Sequence, residues 1–248
     1  MVDNNKIVSK SDSSLDQTVN PYVSVDCVLL GFDGERLNVL IVGQREKEND
    51  NNSTGCYKLP GSLIYMNETL DEAAQRVLFQ LTGLVKVKMV QFHAFSDISR
   101  LSDPKDTVWL ERFHRLERHL ERVITIGYIS LLRIDRRYKN LITGYEARWV
   151  PIDELPHLAF DHNQIVDKAQ EAVRRIVREN PEHLFSLLPR KFTAAQLHAV
   201  YQAVTGYRID VRNFHKKIQT MPYVVPLDEK EQGVNHRAGR FFKFERKK

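Results

Sequence analysis

The sequence predicts an α+β fold in two parts. A mixed-sheet α/β domain covers residues 21–180 and a smaller helical domain covers residues 181–248, behind a polar, flexible tail of residues 1–20. Three observations carry that prediction. Apolar runs of strand length recur through the first 180 residues, separated by turn chemistry and by long helical periodicities. The last 68 residues change character, with two short helices around a glycine, then two strands around a charged tip. Charge divides at the same point: Pro181 to Lys248 holds 13 Lys/Arg and 6 Asp/Glu, a net of +7, while the first 180 residues hold 24 and 26, a net of −2. The basic segment therefore points to an anionic partner, nucleic acid before a membrane surface.

Each element has a local reason. "YVSVDCVLLG" (22–31) alternates and then turns apolar, as a partly buried strand does, and "VLIVGQR" (39–45) follows the turn "FDGERLN" to make a hairpin. "EKENDNNSTG" is a polar loop, and "CYKLPGS" is a short strand running into a turn. Thr69 and Glu72 form a capping box for a helix over 69–82, with Leu70, Ala73, Ala74, Val77, Leu78 and Leu81 on its apolar face and Gly83 as its stop. "VKVKMVQFHAF" (85–95), "VITIGYISLL" (123–132) and "YEARWVPI" (145–152) read as strands. Between them, "DTVWLERFHRLERHLER" (106–122) has the spacing of an inserted amphipathic helix. A long helix spans 161–180, with Asp161 as its N-cap and Pro181 as its end.

In the basic segment, "HLFSLL" (183–188) is a short helical piece. A helix over 192–206 is capped by Thr193 and stopped by Gly206. Asp210 caps a second helix (210–221), where Val211, Phe214 and Ile218 face inward and Arg212, Asn213, Lys216 and Lys217 do not. Strands 223–227 and 240–245 enclose the tip "DEKEQGVNHRAG". This is the order of a winged helix-turn-helix. Arg212 and Asn213 are placed to read base edges. Lys191, Thr193, Lys216, Lys217, Arg237 and Arg240 are candidates for phosphate or groove contacts.

Other classes are set aside. No run of about 18 apolar residues exists, so no membrane partner is expected. The N-terminus has no apolar signal core, and Cys27 and Cys56 have no metal-site spacing, so a reduced, cytoplasmic protein is expected.

"PGSLIYMNETLDEAAQRVLFQLTGL" (60–84) resembles a Nudix box, whose pattern is G-x5-E-x7-R-E-U-x-E-E-x-G-U. Glu68, Arg76, Leu78, Gly83 and Leu84 match. Ser62 replaces the first glycine, Val77 a glutamate, and Gln80 and Leu81 the paired glutamates. Magnesium needs hard oxygen ligands, and the i, i+3, i+4 set Val77, Gln80, Leu81 offers no carboxylate. Glu68, Asp71 and Glu72 cluster at the helix start, where the dipole favours acids without any metal. A Nudix-like mixed-sheet α/β sandwich domain followed by a winged helix-turn-helix domain is similar to the Nudix-related transcriptional regulators. "LLPRKFTAAQLHAVYQAVTGYRIDVRNFHKKI", "HRAGRFFKF" and "LAFDHNQIV" extend the likeness over nearly the whole chain after about residue 20.

The resemblance implies a dimeric repressor of a palindromic double-stranded DNA operator, without catalytic residues, metal or cofactor. Its degenerate domain is expected to sense a small metabolite, with L-arabinose or another sugar placed first and ADP-ribose or a nucleotide as the alternative. Lys58, Tyr65, Asp97, Asp161 and His162 are the expected ligand-binding residues. Two rivals stand beside it. One is a hydrolase of nucleoside diphosphate derivatives with Glu68, Asp71 and Glu72 as relocated metal ligands. The other is an interaction module whose winged helix binds protein.

Overall fold

The computed structural model describes residues 18–43, 57–104, 120, 122–139, 141, 145–233 and 238–246. Residues 44–56, Arg237 and nearly all of the 106–122 segment, with the polar loop and inserted helix expected there, lie outside the described residues.

Seven strands form the first sheet among these residues: β1 (Val19–Phe32), β2 (Leu37–Gly43), β3 (Tyr57–Lys58), β4 (Gly61–Tyr65), β5 (Val90–Phe95), β6 (Ile124–Arg133) and β7 (Glu146–Pro151). The hub is β1, antiparallel to β2 and β4 and parallel to β6, while β3 and β7 pair with β2 and β5 with β6. The expected β1–β2 hairpin forms, and Asp33 accepts from the backbone N–H groups of Glu35 and Arg36 to fix its turn.

The strand parity of β1 separates two cores. Val25, Cys27 and Leu29 pack toward α1 (Leu70–Thr82), and Val28, Leu30 and Phe32 pack toward α2 (His162–Glu179). A central strand covered on both faces needs apolar side chains at nearly every position, which is why "CVLLGF" does not alternate. Helix α1 has the expected capping box, and Gly83 takes a left-handed φ of 74° while its N–H closes on the Phe79 carbonyl.

Three strands depart from expectation. The β4 stretch reads as turn and loop because what makes it a strand is long-range pairing with β1. The 85–95 run becomes extended only from Val90, because Lys86 adopts φ 55° and interrupts the alternation. The first strand begins at Val19, two residues inside the expected tail.

The C-terminal part runs through a 3-10 turn (Pro181–Leu187), β8 (Lys191–Thr193), α3 (Ala194–Thr205), α4 (Val211–Gln219), β9 (Val224–Lys230) and β10 (Arg240–Phe244). Its sheet has the order β8-β10-β9, so a short strand ahead of α3, absent from the sequence reading, completes the winged helix. Val173 and Val177 of α2 share one buried cluster with Leu184, Leu187, Phe192, Leu197, Val200, Phe214 and Ile218. Each such side chain contributes about 1.5–3 kcal/mol when fully buried, so α2 ties the two parts together. No helix of the described residues is long and apolar enough to cross a membrane.

Candidate functional site

Asp26 is an acidic residue in the apolar stretch of β1, and its 4% exposure requires partners. It has them. The Thr125 hydroxyl donates to Oδ2 at 2.7 Å, Arg100 Nη2 lies 3.7 Å from Oδ2, and His162 Nε2 lies 3.4 Å from Oδ1. Arg100 also grips Asp161 in a fork, Nε to Oδ2 at 3.1 Å and Nη2 to Oδ1 at 2.9 Å. Lys58 is buried beside them and donates to the Gly61 carbonyl. The Pro60–Gly61 turn passes so close that a Cβ at Gly61 would sit 1.7 Å from Asp26 Oδ1, so any side chain here forces the turn or the carboxylate to move.

Charge states follow from the surroundings. Burial opposes ionisation of Asp26, but His162, Arg100 and Lys58 around it, with the Thr125 hydroxyl, hold its carboxyl below the usual value. Burial pulls His162 down to about 4 against the attraction of Asp26, so the imidazole is neutral. Its Nδ1 accepts from the Leu59 N–H at 2.9 Å, which assigns the proton to Nε2, facing Asp26. Burial lowers Lys58 to about 8, opposed by Asp26. The network thus balances two carboxylates with two cations around a neutral histidine.

The space it encloses among the described residues is about 20 Å³, room for a water but not for a metabolite. Phe160 closes one side with its ring 5.1 Å from that of His162, and its φ of 59° is unusual for a bulky residue.

Of the five expected ligand residues, Lys58, Asp161 and His162 meet here. Tyr65 and Asp97 do not. Tyr65 lies under the Arg76 guanidinium, 4.0 Å from the ring centroid, and Asp97 is exposed and caps the turn Ile98–Leu101 through Ser99. Asp161 stands at the N-cap position of α2 as expected but gives no side-chain cap, because Arg100 takes its carboxylate. Asp26, Arg100 and Thr125 were not anticipated. A lone acid inside "VSVDCVLL" was a usable signal, whereas Arg100 in a polar loop gave none.

The opposite face of the sheet carries α1. Val77 and Leu81, at two of the positions where Nudix metal ligands stand, are buried in its core at 0% and 1% exposure, and exposed Gln80 accepts from Arg76 Nη1. The remaining acids are occupied: Glu68 receives Arg76 Nε at 2.8 Å, Glu72 completes the cap with Thr69, and Asp71 accepts from the Tyr128 hydroxyl. This donor set does not fit magnesium, which needs several convergent, unshared oxygens.

On the winged helix, Gly206 turns the chain at φ 73° and Asp210 accepts from the N–H groups of Arg212 and Asn213 to start α4. Phe214 and Ile218 bury one face of α4 against His198 and Tyr201. At helical spacing, Arg212, His215, Lys216 and Gln219 form the opposite, exposed stripe, with Asn213 at its flank. His215 and Gln219 were not among the expected contacts.

Other expected contacts are engaged within the protein. Lys217 donates to the Tyr201 hydroxyl at 2.8 Å and lies over that ring. Thr193 is buried and caps α3. Lys191 pairs with Glu229 at 2.7 Å and Arg240 with Asp228 at 2.9 Å, both as exposed pairs of small net worth that phosphates can displace.

The NUDIX domain family matches residues 20–169, and the NrtR DNA-binding winged helix domain family matches residues 184–244. The ADPR responsive transcriptional repressor NtrR of Acinetobacter baylyi is 20% identical over 214 residues, covering 85% of this chain and 77% of that protein. The ADP-ribose pyrophosphatase of Methanocaldococcus jannaschii is 30% identical over 163 residues, covering 65% of this chain and 80% of that protein. The crystal structure of Shewanella oneidensis NrtR complexed with a 27mer DNA superimposes with a TM-score of 0.62 at 21% identity, over 90% of this chain and 93% of that one. At that identity the likeness concerns the fold.

Proposed function

This chain belongs to the NUDIX domain family, and from that premise we propose that it is a DNA-binding transcriptional repressor whose Nudix domain senses ADP-ribose or a closely related nucleotide. The observation that carries the DNA reading is the exposed stripe Arg212, His215, Lys216 and Gln219, displayed by a helix whose other face is locked in the core. Support for the effector comes from the names of two relatives, a repressor responsive to ADPR and an ADP-ribose pyrophosphatase. The alternative effector of the sequence reading thus fits better than L-arabinose, which neither of these two relatives' names supports.

We infer that the effector acts on DNA binding through Arg100. Because the network as it stands has room only for a water, an arriving pyrophosphate has to displace the Phe160 side of the enclosure before it competes with Asp161 and Asp26 for Arg100, whose guanidinium is shared between those two carboxylates. Releasing Asp161 frees the Phe160–His162 turn that begins α2, and α2 packs on the winged helix. The effector acts only in so far as it binds one arrangement of these elements better than another.

The hydrolase reading is favoured by the pyrophosphatase relative. The chemistry of Val77, Gln80, Leu81 and the occupied Glu68, Asp71 and Glu72 speaks against it. Isothermal titration with ADP-ribose and with L-arabinose, paired with a magnesium-dependent turnover assay, separates the readings. Binding of ADP-ribose without cleavage is expected. Binding of L-arabinose alone would return the sugar reading, and steady release of AMP would establish a hydrolase.

A further inference from the structure

We propose a second small-molecule site, in the cleft between the Nudix sheet and the winged helix, for a phosphate-bearing metabolite of mononucleotide size. The cleft has a volume of about 900 Å³, within the usual range for ligand sites, against about 20 Å³ at the Asp26 network. Its walls come from both parts of the chain. The segment after α1 and the end of β6 supply one side, and the chain entering β8 and the end of β10 supply the other.

The lining chemistry selects an anion with an apolar body. Five Lys/Arg face two carboxylates there. Arg246 is paired with Glu182 at 3.0 Å and Arg133 with Asp135 at 3.8 Å. Lys86, Lys88 and Arg190 make no side-chain hydrogen bond or ion pair among the described residues, leaving three cations for a phosphate. Val90, Leu131, Leu188 and Phe244 provide the apolar surface on which a base or sugar can lie.

Backbone conformation adds a separate observation. Lys86 is one of two non-glycine residues with positive φ among the described residues, and the other, Phe160, closes the Asp26 network. Strained residues of this kind concentrate where ligands are gripped. Because the walls belong to both parts, a ligand here fixes how the winged helix sits on the sheet. Binding is therefore linked to DNA affinity, and DNA binding reciprocally to ligand affinity.

The test uses the full chain and measures binding of AMP and UMP, with adenosine as the uncharged control, to the wild type and to the double variant Lys88→Glu, Arg190→Glu. Both residues are exposed, so folding is retained. Expected are binding of both mononucleotides, little binding of adenosine, and affinity about tenfold weaker in the variant with ADP-ribose binding unchanged. Mononucleotide binding should also persist when ADP-ribose is saturating. No mononucleotide binding to the wild type, or binding indifferent to the charge reversal, would overturn the proposal. So would loss of AMP and ADP-ribose binding together, which would mean one shared site. Failure of ADP-ribose to bind at all leaves the AMP arm intact and bears only on the Nudix-site reading.

Discussion

Buried charge at Asp26 decides much of the chemistry of the Nudix half. His162 is held neutral with its pKa down at about 4, below the usual 6.5, so the unfolded chain takes up a proton that the folded chain refuses. Stability is therefore complete above about pH 6.5 and falls as pH drops from there toward 4. Between pH 7 and pH 5 the loss from this group is about 2 kcal/mol. Denaturant titrations at the two values should show it, and His162→Gln should flatten the difference. Gly61→Ala has a different cause. Its Cβ would land 1.7 Å from Asp26 Oδ1, so the turn or the carboxylate must move, at a cost of about 1–3 kcal/mol. An unchanged denaturation midpoint would show that the turn yields freely. The sequence named three members of the network, Lys58, Asp161 and His162, yet it missed the residue that joins them. Arg100 is polar, sits in a polar loop, and becomes 8% exposed only through contacts distant in sequence.

Elements were legible where local chemistry decides them. The caps at Thr69, Thr193 and Asp210 and the stops at Gly83 and Gly206 were readable because capping is set within a few residues. Strands β4 and β8 were not, because five and three residues acquire extended structure only by pairing with β1 and β10. Helix α4 shows both sides. Its apolar spacing located the buried face, while Lys217, expected at a phosphate, donates to the Tyr201 hydroxyl, a partner that a phosphate contact would have to displace. Arg212→Ala or Asn213→Ala should cost about 1–3 kcal/mol of specific DNA affinity, and Lys216→Ala should flatten the salt dependence by about one unit. Lys217→Ala should leave that slope unchanged while lowering stability through the lost α3–α4 contact. Binding titrations over a salt series on a DNA site selected from a random pool would measure all four. A flattened slope for Lys217→Ala would return it to the phosphate backbone.

At the scale of the molecule, the Nudix sheet and the winged helix are not independent bodies on a string. The buried cluster that contains Val28, Leu30 and Ile41 of the sheet also contains Leu197, Phe214 and Ile218 of the winged helix, with α2 between them. A continuous core transmits a discrete repacking better than it absorbs a gradual one. The Arg100–Asp161 pair stands at the start of α2, and α2 packs on the winged helix, so the proposed effector route runs from this pair through α2 toward α3 and α4. The operator affinity of the full chain, measured with and without saturating ADP-ribose at one salt concentration, tests this coupling most directly. The predicted result is a change of about 5- to 150-fold in Kd, with ADP-ribose recovered intact; an unchanged Kd with ADP-ribose demonstrably bound would contradict it.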